Sequence, residues 1–491
     1  MKQIVMAFYA FWSMVAAEPA LTLYNQNFAV IRETIPLNLQ RGVNQVRFSD
    51  ATAQLEPESV ILRDAAGKVQ LRILEQSYRG DPVSLDSLLR ANEGHEIEFL
   101  VERDGKQETV KGKIIRAVAP PFQPMPYYQP GGPPALSQPI VEVDGKLRFQ
   151  LPGIPVFPGL GTGSVLKPAL DWVIESDTAG TIQAQLAYVS GGFTWEADYN
   201  LVSKETGDAL DLVGWVTMSN KSGKTFENAS LKLMAGDVGK LAPRGDFLRA
   251  SAGLAGGVIG GVAAAAPQVT EKTFDEYHLY SLARAATLRD KETKQVEFLR
   301  ASSIPSKLLY VYDGLKVDKQ RYQYAPMEAI RQDASYGTQS NQKVWVMREL
   351  VNDTTSQLGI PLPKGRVRFY RADGGRLEFT GEDVIEHTPA GETVRVFTGA
   401  AFDLTGERKR VNFRIDHARS QAEESFEIKV RNRKAQAVDI RIVEHLYRWS
   451  AWEIVTSSSP LQKTDSQTGE FHINLKPDEE KTVSYTVRYT W

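Results

Sequence analysis

Three adjacent runs constrain the fold of this chain: Tyr188-Val-Ser-Gly-Gly-Phe-Thr-Trp-Glu-Ala-Asp-Tyr199, Leu210-Asp-Leu-Val-Gly-Trp-Val-Thr-Met-Ser-Asn220 and Phe226-Glu-Asn-Ala-Ser-Leu-Lys-Leu-Met-Ala-Gly-Asp237. Large apolar residues alternate in them with small or polar ones. A helix turning once in about 3.6 residues would scatter that pattern around its surface, whereas a pleated strand collects it on one face. Residues 219–224 have the composition of a turn between two strands. The stretch predicts a sheet core and names no chemistry.

The same alternation runs through the rest of the chain. Ile35, Leu37 and Leu39 alternate with Pro36, Asn38 and Gln40, and Arg41-Gly42 makes a turn. Residues 18–81 therefore read as a small antiparallel β-domain. Residues 82–154 open on one helical patch, with Ser84 as its cap and Leu85, Leu88 and Leu89 on one face. Five short strands with Asp-Gly turns follow, which predicts a small SH3-like barrel. A Pro-rich surface loop at 119–139, containing Tyr127 and Tyr128, interrupts it.

Residues 155–410 form a central β-domain. Inside it, 250–268 is almost only Gly, Ala and a few aliphatics. It reads as a flexible loop; a glycine-zipper membrane segment is the alternative, for which the apolar part is short. Residues 318–341 read as polar and irregular. At the end, Phe426, Ile428 and Val430 alternate, as do Val438, Ile440 and Ile442, then Val483, Tyr485, Val487 and Tyr489. Residues 411–491 are expected to form an immunoglobulin-like sandwich. The fold class is mainly β and multi-domain, as befits 491 residues.

The first residues point to export. Met1-Lys2-Gln3 precedes an apolar run over 4–15, broken by Ser13, and Val15-Ala16-Ala17 supplies small residues before Glu18-Pro19. That layout predicts a signal peptide at 1–17, cleaved after Ala17, and a periplasmic or extracellular protein. No transmembrane helix is expected in the mature chain. A net charge of -2, with Arg408 to Arg410 read as a short exposed run, argues against a nucleic-acid partner. The absence of cysteine excludes disulfides, thiol catalysis and thiolate metal sites.

Taken together, these runs and several shorter ones resemble the bacterial domain of unknown function 4139 family, in its shorter form without a coiled coil. The shorter ones are Tyr277-His-Leu-Tyr280, Tyr310-Val-Tyr-Asp313, Leu358-Gly-Ile-Pro-Leu-Pro363, Gly381-Glu-Asp383, His387-Thr-Pro389 and Ala401-Phe-Asp403. The resemblance covers nearly everything after residue 17. It implies export and a β-rich fold, and it implies no established activity.

Catalytic patterns are sparse. The six histidines form no His-Glu-x-x-His, and no Gly-x-Ser-x-Gly elbow or phosphate loop occurs. Glu196 and Asp198 share a strand face and could act as a glycosidase pair, although a strand carboxylate more often bonds a nearby cation or backbone. His278 reads as structural. His387, after Glu382, Asp383 and Glu386, reads as part of a solvated turn, with acid–base or metal chemistry there as the alternative. Trp195, Trp215, Trp345 and Trp452 lie in strand patterns and are expected to pack in cores. The expectation is a non-enzymatic protein without cofactor or metal, binding an envelope protein or glycan. A glycan hydrolase using Glu196 and Asp198 is the alternative.

Overall fold

The computed structural model describes residues 18–80, 83–103, 105–117, 138–159, 166–236, 238–240, 269–274, 276–322 and 324–491. The expected signal peptide, the Gly/Ala-rich stretch and nearly all of the Pro-rich stretch lie outside them. Of the described residues, 63% are strand and 5% helix, arranged in several sheets, as the alternation requires. The chain divides into two compact units, each assembled from three stretches of sequence.

The first unit takes Met1–Thr194, Ser219–Leu233 and Arg284–Lys294. Strand Phe28–Leu39 lies between Ala20–Tyr24 and Gly180–Gly191, antiparallel to both. Its burial follows residue parity: Ile35, Leu37 and Leu39 are buried while Pro36 and Asn38 face water. Strand Ala169–Ser176 pairs with Gly42–Phe48 on one side and Leu71–Arg79 on the other. It follows the small domain in sequence but completes a sheet of the N-terminal segment. Local alternation carries no information about such distant pairing. Trp172, buried in that sheet, donates from its indole nitrogen to Gln76 Oε1 at 2.8 Å.

Within the same unit, residues 84–103, 105–117 and 138–156 build a sheet with a core of its own. Helix Leu85–Ala91 is capped by Ser84, whose hydroxyl accepts from Ser87 N. Strands Ile154–Val156, Glu96–Arg103, Lys106–Arg116, Ile140–Val143 and Lys146–Arg148 follow in that spatial order. Leu89, Ile97, Phe99, Ile114, Val141 and Val143 fill the core. The last hairpin turns on Asp144 and Gly145, both at positive φ, which suits the twist of the flanking strands.

The second unit takes Trp195–Met218, Met234–Ala283 and Gln295–Trp491. Its five-stranded sheet runs in the order Glu292–Ile304, Leu210–Asn220, Phe193–Ser203, Gly365–Asp373, Arg376–Ile385. Phe193–Ser203 and Gly365–Asp373 run parallel. A nine-stranded sheet follows, from Trp452–Ser457 through Thr393–Asp416 and Lys307–Asp313 to Gln462–Lys463. Its arms share one core. Phe471 and Tyr485, on strands that are not neighbours in the sheet, bring their rings to 5.6 Å.

That sheet extends beyond residues 411–491. Strand Thr393–Asp416 is 24 residues long and passes through residue 410 without a break. The reason is visible in its inward positions, where Leu404 and Gly406 are followed by buried Arg408. A buried arginine looks like a surface residue in sequence and hides the alternation. The expectation that Arg408 lies in an exposed run is thus corrected: Arg408 is 5% exposed. The irregular reading of 318–341 is also revised, since this segment holds helices Lys319–Tyr322 and Met327–Gln332.

Candidate functional site

Glu196 and Asp198 do lie on one strand, two residues apart. Their surroundings differ. Glu196 is exposed, whereas Asp198 accepts from Thr217 Oγ1 at 2.8 Å and from Arg368 Nη1 at 3.3 Å. Thr217 Oγ1 in turn accepts from Gln295 Nε2 at 3.0 Å, and Arg368 Nε lies 3.9 Å from Glu382. One polar side chain from each of the five strands therefore joins a single row across the sheet. Asp198 is its middle member, bonded to a nearby cation and a hydroxyl.

His278 sits on strand Tyr277–Leu282 with Nδ1 2.8 Å from Glu271 Oε1 of the paired strand Val269–Phe274. His387 follows strand Arg376–Ile385, and its Nδ1 accepts from Lys364 N at 3.1 Å. Each histidine is thus engaged by a different neighbour, one a carboxylate and one a backbone amide. Trp195 is buried and donates to Met234 O at 3.2 Å, while Trp215, Trp345 and Trp452 are half-buried.

The motif-bearing residues converge on residues 358–363. Pro361 and Pro363 lack an N–H, so this segment cannot donate a full ladder of its own. Its carbonyls are taken by buried donors instead. Tyr199 Oη donates to Pro363 O at 2.6 Å and Tyr280 Oη to Pro361 O at 2.8 Å. Asn352, fully buried, donates through Nδ2 to Ile360 O at 2.8 Å, Pro389 O at 2.9 Å and Thr388 O at 3.3 Å. Its Oδ1 accepts from Gly359 N at 3.1 Å. Phe298 packs between the two tyrosines, with centroids 5.8 Å from Tyr199 and 6.5 Å from Tyr280. Burial pushes both hydroxyls well above the ordinary tyrosine range, so they stay protonated donors.

A second constellation, which the sequence reading missed, lies in the nine-stranded sheet. Buried Arg448 donates to Ile330 O at 2.7 Å, Arg331 O at 3.0 Å, Asp333 O at 3.1 Å and Tyr336 O at 3.3 Å, and to Glu424 at 2.8 Å. Arg408 adds Gly337 O at 2.7 Å, and Arg410 adds Ala334 O. Three arginines thus hold six backbone carbonyls of residues 330–337, including carbonyls at the end of helix Met327–Gln332, where a cation is favoured. Glu424 and Glu444 supply the counter-charges. The available signal was the pair Glu424 and Glu444 at inward strand parity, each shared with apolar neighbours.

Two open surface depressions lie among the described residues. One, of about 240 Å³, is lined by Arg414, Asp416, Arg419, Gln421, Glu423 and Arg488. Its charges answer one another, since Arg488 reaches Glu423 at 2.7 Å and Glu453 at 2.8 Å. The other is lined by Ile454, Leu461 and the Ser457–Pro460 turn. Neither is lined by Glu196, Asp198, His278 or His387. Among the described residues, no group of three His, Asp or Glu is placed to hold a metal ion, and no helix is long and apolar enough to cross a membrane. Compared with known proteins, the chain matches no family model and no curated protein.

Proposed function

We propose that this chain is an exported, non-catalytic protein that binds or scaffolds in the bacterial cell envelope, and that it is related to the family whose motifs it resembles. The observation that carries this reading is where the motif side chains are spent. Tyr199 and Tyr280 donate to the chain's own carbonyls at Pro363 and Pro361, both in a third motif run. Groups used this way build a rigid body; they are not directed at a substrate. In this reading the small sheet is an SH3-like barrel and the C-terminal sheet an immunoglobulin-like sandwich, both common carriers of binding loops and edges. Exposed apolar side chains give such a body something to bind with, Phe402 at 96% exposure above all.

The reading is tested by incubating purified residues 18–491 with envelope polysaccharides and following both binding and product release. Saturable binding with no turnover, in the wild type and in Glu196→Gln and Asp198→Asn alike, supports it. Turnover that disappears in either variant while the fold is kept would replace it with glycan hydrolysis. Export is tested separately: the processed protein isolated from the producing cell should begin at Glu18, and an intact Met1 on cytoplasmic protein would refute that part.

A further inference from the structure

Residues 314–341 form a strap that leaves the end of strand Lys307–Asp313 and returns to strand Lys343–Val351. Its two ends are tied together at one root. Leu315 pairs with Ser340 and Lys316 with Gln339. Asn341 N donates to Gly314 O at 3.1 Å, and Asn341 Nδ2 donates to Asp313 O at 2.6 Å. Tyr312 Oη completes the tie by donating to Asn341 O at 2.8 Å. The body of the strap is held elsewhere, by Arg408, Arg410 and Arg448, and arginine keeps its charge across the accessible pH range.

The root rests on a histidine. His445 Nε2 lies 3.0 Å from Asp313 Oδ2, and Nδ1 lies 3.4 Å from Thr468 Oγ1. The ring stacks on Tyr447 at 4.8 Å. The other oxygen of the aspartate, Oδ1, is buried without a hydrogen-bond partner, so the imidazole is the main compensation for this carboxylate. Asp313 faces His445 from its own strand, Glu444 and Tyr447 from the flanking chain, and Asp465 from the turn that carries Thr468. Glu444 is already paired with Arg408.

We propose that the His445–Asp313 pair is a pH-sensitive latch on the root of the 314–341 strap, closed while the imidazole is protonated and loosened when it loses its charge. Asp313 is the mechanical link, because its carboxylate meets His445 while its carbonyl holds Asn341. The hydrogen bond to Asp313, opposed by partial burial, raises the histidine above its ordinary value of about 6.5. A raised value in the folded state means that the contribution is complete below about pH 6.5 and is lost as pH rises through the higher folded value. A neutral imidazole can still donate one N–H to Oδ2, but it leaves the buried aspartate without counter-charge, and Oδ1 has no partner in either state.

Hydrogen exchange tests the latch on the full chain, with rates corrected for the intrinsic effect of pH. From about pH 5.5 to about pH 9, protection at Asn341 and residues 315–316 should fall about fivefold to tenfold beyond that correction, the loss of one charge-assisted bond. Amides at 330–337, in the segment whose carbonyls the arginines hold, should show no such step. The midpoint of the step should match the titration of the His445 ring proton followed by NMR in the wild type, a measurement that needs no variant. His445→Gln and Asp313→Asn should each give low protection at the root with no step. A flat wild-type profile, a midpoint that differs from the ring titration, or an unchanged step in a folded His445→Gln variant overturns the proposal.

Discussion

Arg408 and Glu444 meet inside the nine-stranded sheet, the arginine Nε standing 2.8 and 3.0 Å from the two carboxylate oxygens, with both side chains almost wholly shielded from water. Arg408 also lies over the Phe426 ring, 3.9 Å from its centroid, and Tyr485 Oη donates to Glu444. Burial alone would disfavour the charge on Arg408, but the adjacent carboxylate more than offsets this and holds its proton more tightly than usual. Removing one partner leaves the other charge buried without its counter-charge. Arg408→Met should therefore cost about 3–5 kcal/mol, whereas the triple change with Glu444→Leu and Tyr485→Phe should recover most of the loss. Urea unfolding of the single and triple variants checks this; a triple variant less stable than the single one would falsify the account.

Asn352 gives a sharper chemical test. Its amide donates to three carbonyls, and Asp at the same position would offer only acceptors there. Asn352→Asp should be more damaging than Asn352→Ala, although it changes the side-chain volume far less. Losses of about 2–3 kcal/mol for alanine and more for aspartate are expected. Equal stability of the two variants in denaturant titrations would mean that shape, not donor chemistry, matters at this position.

Gly192 should tolerate nothing larger. Its φ is +84°, and a Cβ there would stand 2.8 Å from Lys221 O. Gly42 has a φ of +97° but open space around the same position. Alanine at Gly42 should cost about 1 kcal/mol in backbone strain alone. Alanine at Gly192 adds a backbone clash and should cost at least twice as much, about 2–3 kcal/mol. Thermal melts of the two variants side by side decide the comparison.

Acid should loosen the strap body through Asp333. Its carboxyl is lowered to about 2, chiefly by hydrogen bonds from the Ser335 hydroxyl and amide, with Tyr322 and Arg321 adding to them. A lowered value means that the contribution is present above the unfolded value of about 3.9 and is lost as pH falls toward 2. The wild type should lose stability over that interval more steeply than Asp333→Asn. Unfolding midpoints measured at a series of acidic pH values would show parallel curves if Asp333 makes no such contribution.

Strand parity was legible directly. Ile35, Leu37 and Leu39, then Phe426, Ile428 and Val430, are buried as their alternation requires, because a pleated strand has only two faces and water selects between them. The helix over Leu85–Ala91 was equally local, being set by the Ser84 cap and three leucines. Pairing was decided by tertiary structure. Ala169–Ser176 closes a sheet with strands about a hundred residues earlier, and no local pattern specifies a partner at that distance. The candidate site divides in the same way. Glu196 and Asp198 share a face by spacing alone, but only the neighbouring strands bring Thr217 and Arg368 to Asp198. Arg408 reads as a surface charge in sequence, yet it lies buried together with Arg448, Glu424 and Glu444. They are buried because each finds its opposite on another strand, and the energy of that pairing depends on separations that exist only once the sheet has closed.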